Sequence, residues 1–181
     1  TLSERALRVL AAQPTMADVV RMLVIWDHPF GRALMGAVAG PRPSLFEVEV
    51  ELQRAFAERA LAHARQGGPA LVAYARQVVD VMNASSALLH FAERDEDIVD
   101  ATFIEGGAKI DRDTFAGLLD GETLEQTRSA VALALRDSAV GAAFGADSVH
   151  LGQLEAAVLK AQISEQRSLA RQRPDGAAPT I

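Results

Sequence analysis

From Tyr74 to Leu119 the chain runs in three- and four-residue apolar steps, broken by carboxylates and a glycine pair. This punctuation restricts it to helices joined by tight turns. Tyr74, Val78, Val81, Met82, Ser85, Leu88 and Leu89 fall on one stripe of an α-helix. Asp80 and Asn83 stand three residues apart near that stripe, so both side chains can point the same way. A short acidic connection and a half-buried amphipathic segment follow. Phe103 and Ile104 then lead into Gly106-Gly107, where positive φ or close backbone approach carries little steric cost. The chain restarts at Ile110-Asp111, with Asp111 or Asp113 as the cap of a helix bearing Phe115, Leu118 and Leu119, and Gly121 ends it.

The same grammar extends in both directions. Ser3 opens a short helix that ends near Gln13-Pro14, and Thr15 with Asp18 forms a capping-box-like start for a second. Asp27-His28-Pro29 interrupts that helix, and a fresh one is expected from Pro29 with Phe30, Leu34 and Val38 inward. Gly40-Pro41-Arg42-Pro43 is a turn. Ser44 and Glu47 make a capping box for a long helix to about Gln66, with Phe46, Val50, Ala57, Leu61 and Ala64 on one face and Leu52 and Phe56 broadening it. Gly67-Gly68 stops this helix and Pro69 sets the next. Further on, Thr123 and Gln126 cap a helix through Arg136, residues 137–147 read as a looser connection around Phe144, and Ser148 opens a last helix with Leu151, Leu154, Val158, Ala161 and Ile163. The expectation is an all-α helical bundle, one domain over residues 1–173, with a frayed tail at 174–181. Because the first residue is Thr1, a fragment of a longer chain is also expected.

Composition narrows the function. Hydrophobic residues make up 49% but aromatics only 5%, so Ala, Leu and Val must fill the core. With no cysteine there is no thiolate nucleophile, disulfide or zinc-thiolate site, which fits a cytoplasmic setting. The net charge of −6 argues against nucleic acid as a partner. Apolar runs are broken by charge well short of the roughly 20 residues a bilayer span requires.

No catalytic constellation emerges. His28, His63, His90 and His150 lack metal-ligand spacing. His28 reads as a residue at a helix start and His90 as one near a helix end. Asp95-Glu96-Asp97 with Asp100 and Glu105 lacks the spacing of a calcium loop and reads as a solvated helix N-terminus. Gly106-Gly107 sits in no phosphate-loop pattern, and Ser85-Ser86 in no nucleophile elbow. No cofactor is called for. Asp80 and Asn83 carry the specific expectation: polar groups on a mainly apolar face need partners, and the Gly106-Gly107 turn has backbone amides to offer. One of the two is expected to tie that turn to its helix. Asp80, Asn83, Gly106, Gly107 and Asp111 thus form a structural set rather than a catalytic one.

Asp80-x-x-Asn83, Leu88, Phe103-Ile104, Gly106-Gly107, Ile110-Asp111, Phe115 and Leu118-Leu119 together resemble the repeated unit of the C/d family of connector subunits in vacuolar- and archaeal-type (V/A-type) rotary ATPases. Met16 to Ala33, the helix from Ser44 and Leu151 to Glu165 match in the same order, so the resemblance covers about Pro14 to Glu165, with one complete unit where full family members carry three. It implies an all-helical central-stalk connector, peripheral at the membrane, that links the central-axle subunits to the rotor ring during ATP-coupled proton or cation transport. Such a connector binds no nucleotide. Family members often carry Arg or Lys just after the Asp-x-x-Asn, where this chain has Ala84, Ser85, Ser86 and His90, so no electrostatic contact carries over from this helix. The alternative is a stand-alone helical interaction module derived from that fold.

Overall fold

Five side chains decide where five helices begin. Ser3, Thr15, Asp111, Thr123 and Ser138 each stand in extended backbone, and their side chains accept the N–H of Ala6, Asp18, Thr114, Gln126 and Gly141, respectively. One of these caps is reciprocal, with Thr15 Oγ1 donating back to Asp18 Oδ2 at 2.7 Å. At α7, Gln126 Oε1 instead accepts the N–H of Glu122, the residue before the cap, at 2.9 Å.

The computed structural model describes residues 2–91, 96–146 and 151–172. Among them the helices are α1 (Glu4–Ala11), α2 (Met16–Ile25), α3 (Leu45–Gln66), α4 (Pro69–Leu89), α5 (Glu96–Thr102), α6 (Arg112–Leu119), α7 (Leu124–Ala134), α8 (Ala139–Gly145) and α9 (Leu151–Gln172), with a 3₁₀ turn at Ala33–Met35. No strand occurs among the described residues, and the fold is all-α. Thr1, Asp95, Ser148, His150 and the tail at 174–181 lie outside the described residues, as do the side chains of Glu96, Leu151 and Leu154.

The chain packs around α4. This helix lies against α3 on one side and against α6 and α7 on another, while α7, α8 and α9 stack in sequence. The main core joins Ala84, Ala87 and Leu88 of α4 to Ile110, to Phe115, Leu118 and Leu119 of α6, and to Val131, Phe144 and Val158 beyond. A smaller cluster of Ala57, Val79 and Ile104 seals α3 to α4. A third, Val20, Leu23 and Leu34, holds the N-terminal helices against the start of α3 through Val48.

Four readings of the sequence change here. The buried stripe of α4 is Ala75, Val79, Asp80, Asn83, Ala84, Ala87 and Leu88, whereas Tyr74 and Leu89 are exposed. The true stripe contains two polar residues, so apolar periodicity alone points to a rotated face. After Pro29 the chain forms only the 3₁₀ turn at Ala33–Met35, although Leu34 is buried and Phe30 and Val38 pack inward. Gly31 presses its backbone on α2 so closely that a Cβ would lie 2.7 Å from Val24 N, which sets a path a helix starting at Pro29 does not follow. Ser44 makes no side-chain cap, and α3 starts on its carbonyl alone, which accepts Val48 N–H at 3.2 Å. Residues Ala139–Gly145, expected as loose chain, form α8 with Phe144 buried. Ser138 supplies both ends of that junction: its hydroxyl accepts Gly141 N–H at 2.9 Å and donates to Leu135 O at 2.7 Å.

α2 ends in a Schellman-type closure built without glycine. Asp27 adopts φ 50°, its N–H donates to Val24 O at 3.0 Å, and His28 N–H reaches Leu23 O at 2.9 Å. The His28 ring stays local, with Nδ1 accepting Phe30 N–H at 3.4 Å.

Candidate functional site

Between α5 and α6 the backbone from Phe103 to Asp111 has no regular structure. Its N–H and C=O groups therefore need partners from elsewhere. Two residues of α4 supply them. Asp80 is 2% exposed and Asn83 fully enclosed, so neither can rely on bulk water.

Asn83 acts as a surrogate peptide. Its Nδ2 donates to Ile104 O at 2.8 Å, and its Oδ1 accepts Ile104 N–H at 2.9 Å. One buried residue of the connection is thus satisfied twice by one amide. Asp80 gathers three consecutive amides further along, those of Ala108, Lys109 and Ile110. Oδ2 accepts Ala108 N–H at 3.0 Å, Oδ1 accepts Ile110 N–H at 2.9 Å, and Lys109 N–H is shared between Oδ1 at 3.1 Å and Oδ2 at 3.2 Å. Every one of these partners is a donor, the arrangement a carboxylate suits best.

The glycine pair makes this convergence possible. Gly106 has φ 106°, and a Cβ there would lie 2.4 Å from Leu61 Cδ1. At Gly107 a Cβ would lie 2.3 Å from Asp80 Oδ1 and 3.1 Å from Ile110 O, inside the space the carboxylate occupies. The amides that Asp80 holds are those just past the glycine pair, not the glycines' own. Gly107 contributes by being bare.

Asp111 closes the segment as the cap of α6, accepting Thr114 N–H at 2.9 Å. Hydrogen bonding from the Thr114 side chain, then from its backbone N–H, holds the Asp111 carboxyl below its ordinary value of 3.8. Two arginines that sequence reasoning missed complete the fastening. The Arg54 guanidinium of α3 donates to Ala101 O at 2.9 Å and to Asp100 O, with a longer contact to Phe103 O at 3.5 Å, so it caps the C-terminal end of α5. From α4, Arg76 Nε donates to Gly106 O at 3.4 Å. No local signal marks these two: their partners lie 30 to 49 residues away.

Chemically, the site is a fastening. Both Asp80 oxygens and both amide heteroatoms of Asn83 are committed to backbone groups, so neither side chain is aimed at a substrate. A groove of about 440 Å³ opens on the α3 side of this fastening, lined by Phe46, Val50, Glu51, Arg54 and Ala101 among others, and neither Asp80 nor Asn83 lines it.

The model of the ATP synthase (C/AC39) subunit family matches residues 1–181, the whole chain. The chain belongs to that family. No curated protein matches it. The family is that of a structural subunit of V/A-type rotary ATPases, which makes this chain a rotary-ATPase subunit with partners among the other subunits of such a complex. Among the described residues no helix is long and apolar enough to cross a membrane. At the positions where the family often carries a cation after Asp-x-x-Asn, Ala84 is buried in the core and Ser85 and Ser86 are half-buried.

Proposed function

We propose that this chain is the central-stalk connector of a V/A-type rotary ATPase, coupling the axle subunits to the membrane rotor ring during ATP-driven proton or cation transport. The connector works mechanically, holds no cofactor and performs no chemistry of its own. It sits on the cytoplasmic side, peripheral to the membrane. The family match over residues 1–181 carries this reading. The geometry supports it physically: transmitting torque requires that helices and their connections not slip. Here the long irregular connection beside the central helix is pinned at Ile104, Ala108, Lys109 and Ile110 by α4 side chains. In this reading residues 1–173 act as one helical domain, and Asp80, Asn83, Gly106, Gly107 and Asp111 serve its rigidity.

Co-expression with the rotor-ring and axle subunits tests the proposal. The chain is expected to co-purify with both, and vesicles carrying the complex should acidify on ATP addition only when it is present. If the assembled complex pumps equally well without the chain, or the chain fails to co-purify, the connector role is lost and a stand-alone helical interaction module takes its place.

A further inference from the structure

We draw no further inference here: the strongest candidate, the outward face of α9 where exposed Leu159 and Ile163 stand among exposed Lys160, Arg167 and Arg171, is an unpartnered helix face, and nothing in the structure shows what covers it.

Discussion

Replacing Asp80 by Asn changes almost no volume and asks one question of the structure: whether α4 holds the 108–110 backbone through a carboxylate. In the native chain three N–H groups converge on two oxygens. An asparagine offers one oxygen and one NH₂, and the NH₂ must face a donor. With the oxygen kept at the Oδ1 position, Lys109 and Ile110 remain bonded and Ala108 N–H is orphaned. With the amide flipped, the more deeply buried Ile110 N–H is orphaned instead. The first orientation is therefore preferred. Its cost is one partly buried unsatisfied N–H, about 1–2 kcal/mol, plus the weakening of two charge-assisted bonds to neutral ones at about 0.5–1 kcal/mol each.

The sum is about 2–4 kcal/mol, which for a chain of this size corresponds to a fall in melting temperature of roughly 4–16 °C. Urea unfolding followed by circular dichroism measures the total, and the m-value should stay fixed because the native fold is unchanged. Amide hydrogen exchange localises it: protection at Ala108 should drop before protection on α6 does. Gly107→Ala attacks the same contact from the other side, with its Cβ 2.3 Å from Asp80 Oδ1. The double variant should be less destabilised than the two single costs added together. An Asp80→Asn protein within about 0.5 kcal/mol of the parent, with Ala108 still protected, would show that the carboxylate is not what holds the segment.

Asp27→Gly should stabilise the fold by about 0.5–1 kcal/mol, since glycine takes the φ of 50° without the strain aspartate bears there; a rise in melting temperature checks it. Among the described residues Thr127 Oγ1 is buried without a hydrogen-bond partner, so Thr127→Val should be neutral or stabilising by up to about 1 kcal/mol in urea unfolding, against the usual penalty for altering a core residue. Asp111 has its carboxyl held below 3.8 in the folded state, so the stability it contributes is fully present above that value and is lost as pH falls through the depressed one. Asp111→Asn keeps a capping oxygen but cannot titrate, and melting curves of the two proteins should converge as pH drops from about 6 to about 2.5.

How far the sequence reveals this fold depends on how local each cause is. Caps act within one turn, which is why Thr15 and Thr123 can be placed from the sequence alone and the cap of α6 narrowed to Asp111 or Asp113, of which the structure uses Asp111. The Asp80–Asn83 pair is legible for another reason: two polar residues in an apolar helix near a glycine pair pose an unsatisfied-partner problem with few solutions. The same pair hides the helix's orientation, because a periodicity count that rewards only apolar residues selects Tyr74 and Leu89 over Ala75 and Ala87. α8, with the sequence AVGAAFG, is too short and too rich in small residues to show an apolar stripe. Its helix depends on the Ser138 cap and on α7 and α9 packing around it. Arg54 is beyond local inference altogether, since an arginine on a polar flank reads as solvated until α5 is brought beside it.

These fastenings share a logic. The connection from Phe103 to Asp111 runs beside the central helix, where Ile104 and Ile110 are buried away from water and no strand or helix of its own serves their amides. An all-apolar α4 would pack more simply there, yet it would leave the N–H groups of Ile104, Ala108, Lys109 and Ile110 and the carbonyl of Ile104 without partners. Three of these, both groups of Ile104 and the N–H of Ile110, are buried, and their loss at about 1–3 kcal/mol each is a large share of the stability of an ordinary domain. The buried carboxylate and amide are therefore conditions of this chain path rather than ornaments on it. A path fixed by bonds of defined length and direction resists sliding in a way that apolar contact, being non-directional, does not.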